Sequence, residues 1–259
     1  MISEQDSRLP AVQRSRLISK VLSPAVRLWI RSQVESADAL QVSINGGDRQ
    51  ILSGYVPQVT IAAHHVVYQG IALSQVCLKG TDIRINLKDV LQGKPLKLVD
   101  IVPVQVEATL NQAHFNASLQ TPLLANAVQE LVMQWLRLEA NQLPDAFNLL
   151  LQSDAIELEH PQLAFNPDQL RLWGTLASRN LGGEDRSLPF AFSTGLHMVD
   201  RAKIQLEQPQ WLPHPEATQG QLLPNLQGFE IDLGTDVYLH KLNLEAGQLI
   251  CGGIINVIP

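Results

Sequence analysis

The chain has 259 residues, enough for one large domain or two small ones with a substantial buried core. Hydrophobic residues make up 45% and charged residues 17%, which excludes a disordered chain, and a formal net charge of -6 argues against general nucleic-acid binding. Charge is segregated, because the stretch from Arg8 to Val34 carries six basic residues and no acidic one, leaving the remainder strongly acidic.

Residues 11–36 read as an amphipathic helix, with a fresh start where Ser23 can cap and Pro24 can occupy the first helical position. At about 100° per residue, Arg16, Lys20, Arg27 and Arg31 gather on one side. Leu17, Ile18, Val21, Leu22, Ala25, Val26, Leu28 and Trp29 are assigned to the other. Such a helix either docks on a sheet with a solvated basic face or lies in a membrane interface with its cations near anionic headgroups. Both hold if the docked helix presents its basic side to the membrane.

From Ala39 to Asn86 the pattern becomes an antiparallel meander, with a turn at Asn45-Gly46-Gly47-Asp48 and a strand from Ile51 to Ile61. Leu87 to Val90 is expected to form a brief helix, and Ile101 to Leu110 another alternating strand. Asn111 is placed to cap a short helix through Leu119, and Thr121-Pro122 to start a longer one to about Ala140. Between Pro122 and Leu138 the only charges are Glu130 and Arg137, so this helix is apolar on most sides and calls for a sheet around it. After Pro144 a short helical piece reaches Leu151, and strands resume at Ala155 and run to Pro259. The irregular stretch from Pro209 to Gly228 is the best loop or lid candidate.

A Gln-apolar unit followed by Gly recurs at Gln50-Ile51-Leu52-Ser53-Gly54, Gln169-Leu170-Arg171-Leu172-Trp173-Gly174 and Gln248-Leu249-Ile250-Cys251-Gly252-Gly253. The second and third copies share an upstream strand and turn, Leu163 and Phe165 before Asn166-Pro167-Asp168, and Leu242 and Leu244 before Glu245-Ala246-Gly247. Both read as hairpins, and a glycine inside a strand signals a bulge or a close backbone approach. The fold class expected is α+β, one domain over 1–259 with a long, highly curved antiparallel sheet wrapped around apolar helices.

Catalytic and metal signatures are absent from the sequence pattern: there is no nucleophile elbow, P-loop, dinucleotide fingerprint, Cys-x-x-Cys or His-Glu-x-x-His. No metal, no cofactor and no enzyme activity are expected. Cys77 and Cys251 fit reduced, buried thiols rather than a disulfide. No apolar run approaches the roughly 18 residues that span a bilayer, and Met1-Ile2-Ser3-Glu4-Gln5-Asp6 does not read as a signal sequence, so a cytoplasmic protein with peripheral membrane contact is expected.

The elements Val66-Val67-Tyr68-x-Gly70-Ile71-x-Leu73-Ser74, Gly80-Thr81-Asp82-Ile83-Arg84-Ile85-Asn86-Leu87, Val90-Leu91-x-Gly93-Lys94-Pro95-Leu96-x-Leu98 and Ala113-His114-Phe115-Asn116-Ala117-Ser118-Leu119-x-x-Pro122-Leu123-Leu124 resemble the LmeA-like phospholipid-binding family, particularly its cyanobacterial branch. The resemblance implies a TULIP-like tubular fold, an apolar channel for acyl chains, and binding of phospholipid rather than catalysis. Better-studied relatives carry an export signal and this sequence shows none, so a role beyond the cytoplasmic membrane does not carry over.

Two readings follow. In the first, a phospholipid or other acyl-chain ligand lies in an apolar groove against Leu124, Val128, Leu131, Val132 and Trp135, while Arg16, Lys20, Arg27 and Arg31 meet anionic membrane. In the second, the groove is filled by the protein's own helices and the basic segment binds an acidic protein partner.

Overall fold

The structure is a computed structural model, and it describes residues 18–153, 155–179 and 186–259. A π-helical turn, Ile18–Leu22, runs without a break into α1, Ser23–Gln33. Ser23 is therefore not a cap; the junction is a change of helical pitch just ahead of Pro24, whose missing N–H cannot continue a regular i to i−4 ladder.

The chain then reverses into β1 (Ser36–Asn45), α2 (Asp48–Leu52), β2 (Tyr55–Tyr68), β3 (Ile71–Arg84), α3 (Leu87–Leu91) and β4 (Val102–Asn111). Two helices, α4 (Gln112–Ser118) and α5 (Pro122–Leu138), lead to α6 (Asp145–Leu151). The second half holds β5 (Ala155–Asn166), β6 (Gln169–Arg179), β7 (Arg186–Met198), β8 (Lys203–Trp211), the short β9 (Gln221–Leu222) and β10 (Glu230–Asp232), then β11 (Val237–Glu245) and β12 (Gln248–Val257).

These strands make two antiparallel sheets, ordered β1-β2-β3-β4-β12-β11 and β10-β8-β7-β6-β5, with β9 paired to β8. The sheet is strongly curled into a half-barrel. The last hairpin crosses back to complete the first sheet, so both ends of the described chain contribute to it. Helix α1 lies on the inner face of the first sheet, with Leu22, Val26 and Ile30 packed among Ile44, Val56, Val59 and Ile83. Helices α5 and α6 lie on the second, where Val132, Trp135, Leu136 and Phe147 meet Leu172, Leu176, Phe190, Phe192 and Leu206.

The repeat resolves unevenly. Its first copy is helix α2 with Gly54 at φ +81 turning into β2, not the strand expected from Ile51, because a five-residue helix after Gly46-Gly47 leaves too short a pattern to separate from a turn. The other two copies are equivalent hairpins. Asp168 N–H donates to the Leu244 carbonyl and Gly247 N–H to the Phe165 carbonyl, so the turns clasp one another, with residues 165 and 168 matching 244 and 247 at a constant offset of 79. Asp168 and Gly247 both have positive φ, +57 and +77.

The same offset pairs Gly174 with Gly253, and each lies beside a register shift of the partner strand. A Cβ on Gly174 would stand 2.9 Å from the Glu159 carbonyl oxygen, and one on Gly253 would stand 2.6 Å from that of Tyr238. These glycines admit the close backbone approach that the bulges demand.

Helix α4 ties the two sheets together, and its amides explain part of the chain's Gln and Asn content. Asn111 caps it, its Oδ1 accepting from Ala113 N–H at 2.9 Å. Asn116 then donates to the Leu163 carbonyl at 2.9 Å and accepts from Leu163 N–H at 2.7 Å, Gln112 accepts from Phe165 N–H at 3.0 Å, and Ser118 accepts from Ala72 N–H at 2.8 Å. Further along β5, Gln129 of α5 does the same for Ile156 and Leu158. β5 is an edge strand, and side-chain amides rather than another strand satisfy its outward backbone groups. Asn116→Ala leaves two of these groups without their partner and is expected to cost about 1–3 kcal/mol in urea unfolding.

Helix α5 is not wrapped all round. Asn126, Glu130, Gln134 and Arg137 recur every three to four residues and form an exposed strip, and Leu123 and Leu138 stand exposed beside them. The stretch after β8 is irregular but pinned down: the buried Glu139 carboxylate accepts from Leu226 N–H at 2.9 Å and from Asn225 Nδ2 at 3.1 Å, and Gln221 donates to the Gln142 carbonyl. It closes the core over α5 with Leu223 and Leu226 rather than standing off as a lid.

Candidate functional site: an apolar groove under the first helix

An apolar cavity of about 390 Å³ lies between α1 and the inner face of the first sheet. Its roof is Leu22, Val26, Trp29 and Ile30, which fall on one side of α1 by helical periodicity. Its floor is a row from each of four strands, Val56, Val59 and Ile61 on β2, Val76, Leu78 and Ile83 on β3, Val102, Val104 and Val106 on β4, and Ile255 and Val257 on β12.

On β2 and β3 the inward set changes parity in two places, where His65 and Asp82 take φ of +47 and +55, so the apolar rows stay on the inner face as the sheet curls. No charged side chain lines the cavity, and Gln33 and Tyr68, both exposed, mark one end of it. Helix α1 leaves the β4 and β12 side uncovered: Val104, Val106, Ile255 and Val257 are half-buried, whereas Val56 and Val102 beneath and beyond the helix are 2% and 3% exposed.

The groove exists because of residue size. All six phenylalanines lie at position 115 or later; Phe115 and Phe165 pack in a small cluster, and beside it Phe147, Phe190, Phe192 and Phe229, with Trp135 and Trp211, fill the core under the second sheet. There Trp135 stacks on Phe192 with ring centroids 4.5 Å apart, and Phe147 and Phe190 meet Trp211 edge-on at 4.5 and 5.3 Å. The strands of the first sheet carry no Phe or Trp. Their inward Val and Ile side chains and the glycine Gly80 are too short to reach across to α1 everywhere, and space remains.

The α5 positions chosen from sequence stand elsewhere. Val132 and Trp135 are buried in the second core, Leu131 and Val128 pack against it, and Leu124 packs with Val128 on the small cluster of Leu119, Leu163, Phe165 and Leu244. None of the five lines the groove. Periodicity identified the most apolar helix, but unfilled space depends on which helix faces short side chains. The split between an aromatic second half and an aliphatic first half was the available signal.

Of the four basic positions, Lys20, Arg27 and Arg31 are exposed on the side of α1 away from the groove, and Arg16 lies outside the described residues. Leu28 was assigned to the apolar face; it is instead 71% exposed between Arg27 and Arg31 on the outer face. Both cysteines are free and half-buried. Burial pushes the Cys251 thiol up to about 11, so iodoacetamide is expected to alkylate it slowly at pH 8, speeding up about tenfold per pH unit toward 11; full alkylation within minutes at pH 8 would show that β12 opens readily.

Among the described residues no group of three or more His, Cys, Asp and Glu side chains is arranged to hold a metal, and no helix is long and apolar enough to cross a membrane. His65 and His114 do meet, rings 5.2 Å apart, and Ser74 Oγ lies 3.0 Å from His114 Nδ1, on the α4 side of the sheet rather than in the groove.

No curated protein and no solved structure matches the chain. A family model, described as LmeA-like phospholipid-binding, matches residues 14–254, nearly the whole length, including α1, both sheets and all but the last three residues of β12. The chain belongs to the LmeA-like phospholipid-binding family.

Proposed function

We propose that the protein, acting as one lipid-binding unit without catalysis, holds an acyl chain of a phospholipid in the groove between α1 and the first sheet, and meets anionic membrane with the outer face of α1. The observation that carries this reading is the groove itself, an uncharged cavity open on one side in a member of a phospholipid-binding family. At roughly 30 Å³ per methylene, about the share of a liquid water molecule, 390 Å³ accommodates about 13 methylenes, one acyl chain and not two. Enclosing them yields roughly 10 kcal/mol at about 0.8 kcal/mol each, from which association and ordering of the chain subtract a large part.

The α5 residues Val128, Leu131, Val132 and Trp135 then support the second core and Leu124 the small cluster beside it, and the acyl chain is placed under α1 instead. On the outer face, Leu28 flanked by Arg27 and Arg31 suits an interface in which an apolar side chain enters the acyl boundary and guanidinium groups stay with the headgroups. At about 1 kcal/mol per cation, Arg27→Glu with Arg31→Glu is expected to weaken flotation with anionic vesicles at least about tenfold.

The test is solvent extraction of the purified protein followed by mass spectrometry. Phospholipid or fatty acid near one chain per protein is the expected result. A lipid-free protein that also fails to take up added phospholipid would favour the second reading, a scaffold that fills its own interior and recruits an acidic protein partner.

A further inference from the structure

We infer that the end of the first sheet bearing α2, α3 and the segment leading into β4 is a membrane-inserting tip through which acyl chains enter the groove. The inference rests on the lipid-binding reading of the groove and adds where the membrane meets it. Five large apolar side chains, Leu52, Leu91, Val99, Ile101 and Ile258, are each between 52% and 62% exposed. Strand pairing brings them to one end: Gly54, two residues past Leu52, accepts from Ile85 N–H, Val99 N–H donates to Arg84, and Val102, next to Ile101, pairs with Val257, next to Ile258. Helix α3 follows Ile85 directly and delivers Leu91 to the same end.

Two further observations point to lipid rather than another occupant. The patch continues into the groove, since Leu98, Val102 and Val257, each a chain neighbour of an exposed tip residue, line it. The charges at this end also favour an anionic surface. Of the carboxylates, Asp89 is taken by Lys94 at 2.8 Å, Asp100 by Arg84 at 3.8 Å, and Asp82 accepts from the Tyr55 hydroxyl. Arg49, Lys88 and Lys97 are exposed and engaged in no ion pair among the described residues, and they share this end with the exposed carboxylates Asp48 and Asp236. Cations alternating with exposed aliphatics are the composition that enters the headgroup boundary of an anionic bilayer. Helix α1 doubles back along β1, so its N-terminal end and Lys20 point toward this end too.

The test is flotation of the full chain with vesicles of equal parts phosphatidylcholine and phosphatidylglycerol, comparing wild type with Leu91→Ser/Ile101→Ser. The expected result is a loss of at least about tenfold in vesicle binding, with the lipid carried through purification unchanged and the protein still folded by circular dichroism. Unchanged flotation of the double variant overturns the inference, as does a wild type that floats with neither anionic nor neutral vesicles. A variant that floats normally but changes from dimer to monomer would also overturn it, assigning the patch to a second copy of the chain. Absence of extracted lipid with tip-dependent flotation intact would instead remove the groove reading and leave the tip as a membrane contact alone.

Discussion

Val106→Trp is expected to reduce the lipid recovered from purified protein at least about tenfold while changing stability by less than about 1 kcal/mol. Val106 projects from β4 into the uncovered part of the groove and is only half-buried, so an indole there enters free space rather than a packed core. Small-to-large changes are costly where neighbours must move, and little need move here. The indole occupies the path of the acyl chain across β4, and the lost enclosure of even a few methylenes at about 0.8 kcal/mol each accounts for the effect. Lipid extraction quantified against protein, with urea unfolding alongside, separates a blocked groove from a damaged fold.

Gly253→Val is expected to cost about 3 kcal/mol or more, enough to lower the midpoint of urea unfolding by a molar unit or so. The clash is with backbone, since a Cβ would stand 2.6 Å from the Tyr238 carbonyl oxygen and 3.3 Å from the Leu239 Cα, and relief requires moving the bulged part of β11. Gly174→Val, its counterpart in the other hairpin, faces the Glu159 carbonyl at 2.9 Å and is expected to behave alike. Gly93, by contrast, has no atom within 4 Å of a Cβ, but its φ of +81 makes any substitution there a matter of backbone strain alone.

The two hairpin copies show what the sequence carried well. Alternation, turn residues and an in-strand glycine are local signals, and they located both hairpins, the bulges and the equivalence at 79 residues. The curled antiparallel sheet and the long helix α5 were legible for the same reason. Helix α2 was not, because one turn and a half of helix has no periodicity to read. Leu28 was misplaced because a face drawn from eight apolar residues spanned more than half the helix, while the groove admits only the narrower stripe of Leu22, Val26, Trp29 and Ile30.

The candidate site was legible as a class and not as a place. An apolar enclosure followed from composition and family likeness, but a cavity is a difference between two surfaces far apart in the chain. The buried face of helix α5 meets Phe190, Phe192 and Leu206 and is filled, and the cleft of about 710 Å³ along α5 lies on its Glu130 and Arg137 side instead; α1 meets valines and leaves an apolar space. The basic face of α1 was legible directly, since helical periodicity alone sets Lys20, Arg27 and Arg31 on one side.

Photocrosslinking decides where the acyl chain lies. A phosphatidylcholine carrying a diazirine near the end of one acyl chain, bound to the full chain, irradiated and mapped by peptide mass spectrometry, is expected to label peptides of α1 together with those of β4 and β12. Label confined to α5 and the second sheet, or scattered over the exterior, would contradict the groove under α1 as the binding site.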